Sequence, residues 1–429
     1  MKFLKWLGQG TKVPAFKFLK WLEHGMKRPA FMLLKIFLSK GRAGAVASDP
    51  LRLTRVLFIR PQKIGDLVVA LPVFDALKAA GAHVAIDVLV SPRSLGILKR
   101  DPRFDRVFIY RKRTARDVRE ILAIRRRHYD CVVDMIDGDS LTGLLLSQLC
   151  AAGRPRIGSN KQAHAAYYDA VTVERDASGA QGHVVVAAED GAGVDRALED
   201  RAAEDGAGVD RASEDRAATD RMAGHSIERG LNLLDLLGID GTAAVRYASP
   251  YIEQAAWGKI DRSFPESRTG STAMRIGCNL SAGNPTRVWA VARARELIAR
   301  ILSFLPESRI ILLTAPGDRE RGREAKADFD DRVITASPGL TITEVAALIS
   351  RLDVLISPDT SLVHIARSFE VPVVGMYPRR AWNLARWRPY GQTGGIVISG
   401  NDENIFDITA EQVFAVFQEL IATRTAGSL

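Results

Sequence analysis

The stretch RVLFIRPQKIGDLVVALPVFDALKAAG, residues 55–81, decides the fold. RVLFIR at 55–60 is a short apolar run with β-branched residues, the pattern of a buried strand. PQKIGD follows as a turn. LVVALPVFDALKAAG then runs with helical spacing as one helix to a stop at Gly81. Val84–Val90, Arg106–Tyr110 and Tyr129–Met135 repeat the strand pattern, with a basic helical run over 115–127 between the last two. Strands alternating with helices predict a parallel sheet covered on both faces.

The same rhythm restarts further on. Met274–Leu280, Ser308–Leu313, Arg332–Thr335, Asp353–Ile356 and Val371–Met376 read as strands, with helices at 291–304, 342–351 and 361–369. Two doubly wound α/β domains follow, joined near 240–272, where Gly, Pro and Ser are frequent. The expected division is a leader at 1–50, a first domain at 51–245 and a second at 246–429, whose last helix spans 408–422. Ligands of open parallel sheets bind beyond the carboxyl ends of the strands, so two such sheets facing each other predict a site in the cleft between them.

Charge is concentrated at one end. Of a net +10, residues 1–50 carry +8, from eight lysines and two arginines against one aspartate and one glutamate. A nearly neutral body argues against a nucleic-acid partner. The leader repeats KFLKWL at 2–7 and 17–22, and mixes aromatic rings with lysines in a way that suits the headgroup boundary of an anionic bilayer. Its apolar runs are too short to span a membrane, and Pro14 and Pro29 divide it. Residues 1–40 are therefore expected to touch an anionic membrane surface; a basic extension packed on the protein itself is the alternative. Residues 188–221 repeat AEDGAGVDRA, with 11 acidic residues, 5 arginines and no aromatic, and read as a solvated insertion without chemistry. Cys131, Cys150 and Cys278 are widely spaced, with no metal-ligand pattern or disulfide framework, which points to a reducing, cytoplasmic setting.

Three loops carry the candidate chemistry. Gly65 and Asp66 fall after the first strand at the start of a helix, where Asp66 could act or simply cap. SPDTSLVHIARS at 357–368 is a strand, a turn and a helix start: Asp359 precedes the helix, Thr360 and Ser361 offer hydroxyls at an anion-binding terminus, and His364 lies one turn in. SAGNPTR at 281–287 is a polar, Gly-containing loop at a strand's carboxyl end, whose Arg287 could supply a cation for phosphate or be a solvated loop residue. The absence of GxGxxG argues against a dinucleotide fingerprint.

These stretches together resemble glycosyltransferase family nine, the lipopolysaccharide heptosyltransferase family. The resemblance runs over residues 54–395 through IRPQKIGDLVVALPVFDALK, VAIDVLVSPRS, HSIERGLNLLDLLGI, the loop ending RVW, SPDTSLVHIARSFEVPVVGMYP and WRPYG. It implies a GT-B fold: two Rossmann-like domains around a central cleft. It also implies inverting, metal-independent sugar transfer from a nucleotide-diphosphate donor, with no cofactor, to a lipid-linked glycan acceptor at the cytoplasmic face of the inner membrane. Asp66 corresponds to the proposed general base. Ser281, Gly283, Arg287, Asp359, Thr360, Ser361 and His364 fall on the donor side, and Arg60, Gly65 and Arg93 on the acceptor side. The chain departs from the family pattern at Ser361, where many members have Gly, and at Arg287, where Lys is common. It also has Arg379-Arg380 where Thr-Asp is usual, which leaves ADP-heptose open as the donor. A transferase of another sugar, for capsule or O-antigen, and a membrane-associated scaffold without turnover are the competing functions. Asp137-Gly138-Asp139 has the form of a D-x-D metal signature, but of a different transferase class; no metal is expected.

Overall fold

The computed structural model describes residues 38–42, 52–81, 83–112, 114–172, 224–241, 247–264, 273–336 and 339–426. Most of the leader and all of the acidic insertion lie outside the described residues, so the expectations placed on them have no structural counterpart. Strand β1 (Arg55–Arg60) is buried on both faces from Val56 to Ile59, which is why it reads as a continuous apolar run. Parallel partners lie on both sides of it: β2 (Ala85–Val90), β3 (Arg106–Ile109), β4 (Cys131–Asp134), β5 (Arg156–Gly158) and β6 (Ala170–Val171), in the order β3-β2-β1-β4-β5-β6. The second sheet comprises β7 (Arg275–Asn279), β8 (Arg309–Leu313), β9 (Val333–Thr335), β10 (Val354–Pro358), β11 (Val373–Tyr377) and β12 (Ile396–Ile398). Its order is β12-β11-β10-β7-β8-β9, the same topology repeated.

The first helical pattern is corrected. It is two helices, α1 (Ile64–Val68) and α2 (Leu71–Ala80), not one. Pro72 has no N–H to bond back to residue 68 and its ring crowds that carbonyl, so the helix stops there and restarts with proline in its first turn. Helices α3 (Thr114–Arg125) and α4 (Leu141–Ala151) flank the first sheet, and α5 (Ser226–Asp235) packs on α2. The stretch between the sheets holds α6 (Gln254–Ser263), which starts after Glu253 and ends at Phe264. The second sheet carries α7 (Val291–Phe304), α8 (Arg319–Lys326), α9 (Ile342–Ile349), α10 (Ser361–Ser368), α11 (Ala381–Trp387) and α12 (Ala410–Ala426). Helix α6 rests on α9, with Lys259 Nζ 2.9 Å from Glu344 and the Arg351 guanidinium 4.8 Å above the Trp257 ring. Helix α12 lies on α7 beside β11 and β12, so the chain's last helix covers the second sheet. The three cysteines are buried and unpaired, and burial pushes their thiols up to about 12.

The two halves meet where α1 packs on α10. Behind this contact the seam is built from rings. His225 Nδ1 accepts from Ile227 N–H (3.2 Å), and the opposite nitrogen, Nε2, lies 3.0 Å from the Arg388 carbonyl, which fixes the neutral tautomer with its proton on Nε2. The Tyr390 ring lies 4.7 Å from His225, and the Trp387 ring 5.5 Å from His364. Burial lowers the His225 pKa to about 3 and that of His364 to about 4. Both are neutral in the fold and bind protons readily only when it opens. Their contribution to stability is therefore complete above pH ~6.5 and lost progressively as pH falls below it, by on the order of 2 kcal/mol each at pH 5. Urea melts at pH 7.5 and pH 5 should show this loss, and the loss should shrink in a His225→Gln variant.

Candidate active site

In each sheet the strand order reverses at one place, between β1 and β4 and between β7 and β10. Crevices open at the carboxyl ends of strands at such points. Four loops converge there: Pro61–Lys63 after β1, Met135–Asp139 after β4, Leu280–Arg287 after β7 and Asp359-Thr360 after β10. The candidate residues lie on these loops and at the starts of the helices that follow, α1 and α10.

On the first sheet's side, Asp66 sits in the first turn of α1. One carboxylate oxygen accepts from Lys63 N–H (3.0 Å), and the other lies 3.7 Å from Arg60 Nη2. Asp66 thus does cap its helix, but its side chain also lines a cleft cavity of roughly 120 Å³ together with Arg60, Asp137, Arg229, Arg386 and Trp387. Arg60 is nearly buried, donates from Nε to the Asp66 carbonyl (3.2 Å), and reaches the Met135 carbonyl with Nη1. Asp137 holds two guanidinium groups, Arg229 Nη2 at 2.6 Å and Arg386 Nη1 at 3.1 Å. Arg229 comes from α5 and Arg386 from α11, so one carboxylate ties the first sheet's loop to the second sheet's helix. Asp139 accepts instead from Ala163 and His164 N–H (3.0 and 3.1 Å). The two carboxylates of the D-x-D stretch therefore have different protein partners.

The second sheet's side is a network of polar side chains. Thr360 is the N-cap of α10; its hydroxyl oxygen accepts from Leu362 N–H (3.3 Å) and from Asn279 Nδ2 (3.2 Å). Asn279 accepts from Ser281 N–H (3.1 Å), and Ser281 Oγ accepts from Ala315 N–H (2.8 Å). The ends of β7, β8 and β10 are thereby pinned together. Arg287 Nη1 lies 2.6 Å from Asp359 Oδ2, which also accepts from Asn383 Nδ2 (2.8 Å). Burial raises the Asp359 pKa, against the pull of Arg287, of Asn383 and of Lys63 across the cleft.

Gly65 joins the two sides. A Cβ on it would stand 3.2 Å from the His364 ring and 3.4 Å from Ser361 Cα. Ser361 therefore faces α1, and His364 is drawn into the seam beside Val68, Val69 and Tyr390. Gly283 lies on the exposed rim of the Arg287 loop. Arg93 is exposed after β2 and is not among the residues lining the cleft cavity. Arg379 pairs with Asp402 at 2.9 Å on the surface, and Arg380 stands exposed at the start of α11. The sequence pattern passed over Arg229, Arg386 and Trp387 as site residues, although HSIERG and WRPYG pointed to their neighbourhoods. It raised Asp137 only as a metal ligand. Among the described residues no cluster of three or more His, Cys, Asp or Glu is arranged to hold a metal ion.

Residues 202–414 match the model of glycosyltransferase family 9 (heptosyltransferase), so the chain carries a glycosyltransferase domain of that family. A Haemophilus influenzae protein named "Putative glycosyltransferase" is 27% identical over 111 residues, 25% of this chain and 32% of that protein. The chain thus matches about a third of that relative's length. Among solved structures, a family 9 glycosyl transferase from Veillonella parvula has a TM-score of 0.64 at 15% identity, covering 88% of this chain and 100% of that one. ADP-heptose lipopolysaccharide heptosyltransferase II of E. coli has a TM-score of 0.57 at 14% identity, covering 86% and 99%. E. coli heptosyltransferase WaaC, solved with ADP-2-deoxy-2-fluoro heptose, has a TM-score of 0.57 at 16% identity, covering 85% and 99%. At these identities the likeness is one of fold, and the fold is of the GT-B type.

Replacing Asp137 by Asn leaves two close arginines without their shared carboxylate. Asp137→Asn should lower stability by about 1–3 kcal/mol and let the two halves separate. Thermal melts and the radius of gyration from solution scattering would check both effects.

Proposed function

We propose that the chain transfers a sugar, heptose-like, from a nucleotide-diphosphate donor to a lipopolysaccharide-core or related glycolipid acceptor, with inversion and with Asp66 as general base. The observation that carries this is that Asp66 lines the cleft cavity while its neighbour Gly65 packs against Ser361 at the start of α10, the helix that follows the second sheet's β10. The donor's diphosphate would lie at the start of α10, beside Arg287. The acceptor hydroxyl would enter the cavity beside Asp66. As its oxygen bonds to the anomeric carbon, its proton passes to the Asp66 carboxylate. The bond from that carbon to the diphosphate oxygen breaks on the far side, which inverts the centre. Charge left on the diphosphate is met by the amides, the Thr360 hydroxyl and Arg287. Arg60, 3.7 Å from Asp66 and bonded to its carbonyl, helps to aim the base.

ADP-heptose is the first donor to test, since WaaC was solved with an analogue of it. The exposed Arg379-Arg380 pair favours a different sugar nucleotide as the second reading. Residues 1–40, of which only 38–40 are described, would hold the protein against an anionic bilayer at the cytoplasmic face of the inner membrane. No described helix is long and apolar enough to cross one.

The full chain should be melted with ADP, UDP, GDP and their sugars. One nucleotide should raise the melting temperature, equivalent to about 2.7 kcal/mol at a hundredfold excess over Kd, and Thr360→Ala should weaken that rise. Asp66→Asn should keep the rise while transfer to a lipid-linked acceptor falls roughly a hundredfold or more. No response to any nucleotide would remove the donor site, and undiminished transfer by Asp66→Asn would remove the base.

A further inference from the structure

Lys161 is fully buried at the end of β4, and its ammonium has three partners. Nζ lies 3.0 Å from Asp134 Oδ2 and donates to the carbonyls of Ile136 (2.5 Å) and Gly138 (2.7 Å). Asp134 is equally buried, accepts from Tyr168 Oη–H (2.7 Å), and takes Ile136 N–H on its other oxygen (3.0 Å). The backbone is shaped around this group. A Cβ on Gly143 would come 2.3 Å from Asp134 Oδ2, and one on Gly158 would come 2.5 Å from Lys161 Cγ.

The loop alternates in what it contacts. Residues 134, 136 and 138 are tied inward by Lys161 or to one another. Residues 135 and 137 line the cleft cavity: the Met135 carbonyl takes Arg60, and Asp137 takes Arg229 and Arg386. Arg60 in turn lies beside Asp66. A buried ion pair is poorly explained by stability alone, because an apolar pair of the same volume does as well or better. Here every ammonium hydrogen has an acceptor, and two of the three acceptors are alternate carbonyls of a single cleft loop.

We infer that Lys161 is a positioning residue for the acceptor side of the cleft: it pins loop 135–139, and through the Met135 carbonyl and Arg60 it sets the placement of Asp66. The inference rests on the assignment of Asp66 as base. Lys161→Met leaves Asp134 buried without a counter-charge, so Lys161→Met/Asp134→Asn serves beside it as the neutral variant that keeps the volume. In both, hydrogen exchange in peptides covering 135–139 should quicken while the nucleotide-dependent rise in melting temperature stays at the wild-type value. Turnover should fall about ten- to a hundredfold with the donor KM unchanged. Lys161→Arg should restore part of the turnover and of the exchange protection. A purely structural role would lower the melting temperature without a fall in turnover at unchanged donor KM. Unchanged exchange at 135–139, or undiminished turnover in a variant with quickened exchange, would overturn the inference. If the wild-type chain transfers no sugar, the proposed activity fails by that result, and exchange at 135–139 alone decides whether Lys161 pins the loop.

Discussion

The approach of Gly65 to the start of α10 sets how near the two sheets can come. Each sheet reverses its order at one point, and the helix that leaves that point, α1 in one half and α10 in the other, is the element nearest the cleft. Packing these two helices against each other forces both switch points into a single crevice. A Cβ at position 65 would sit 3.2 Å from the His364 ring and 3.4 Å from Ser361 Cα, a tight fit, so the glycine suits the close packing of these helices. The contact also sorts the polar groups. His364 and His225, caught behind it, are held neutral, whereas the charged groups lie in front, on the walls of the cavity.

Those charges are arranged in advance. On the cavity wall Arg229 and Arg386 share Asp137, and away from that wall, after β7, Arg287 is held by Asp359. A cation fixed by protein partners needs little reorganisation when a ligand's charge develops beside it, and this is the condition under which electrostatic stabilisation is strongest. Holding cations with carboxylates also keeps the walls from repelling each other. Asp137 does this across the cleft, with one arginine from α5 and one from the second sheet. Closure and charge balance are therefore the same interaction on this side.

The parts of this arrangement that could be read along the chain are the contiguous ones. Strand β1 occupies the six residues of its apolar run, because a strand buried on both faces leaves a continuous hydrophobic signal. Asp66 and Thr360 could be seen at helix starts, because caps are local. Strands β5, β6 and β12, of two or three residues each, escaped for want of length. The split at Pro72 was present in the sequence as a proline but hidden by apolar spacing that runs through it. Groups whose meaning depends on distant partners could not be seen. Asp137 meets Arg229 across 92 positions, and Lys161 reads as an ordinary surface lysine until β4 and β5 are laid side by side.

The same separation explains where the chain accommodates its acidic repeat. Residues 188–221 fall between β6, which ends at Val171, and α5, which begins at Ser226. Helix α5 owes its place to contacts of its own. His225 lies at hydrogen-bonding distance from the Arg388 carbonyl, Glu228 accepts from Tyr390 Oη–H, and Arg229 reaches Asp137. Lengthening the connection that leads to such a helix adds only a slowly growing entropic term, about 0.6 kcal/mol for each doubling. Because the anchors sit on the helix and not on the connection, an insertion there leaves the cleft wall intact. An insertion of the same length between β4 and α4 would fall in the loop that Lys161 holds and would pull Asp137 from both arginines.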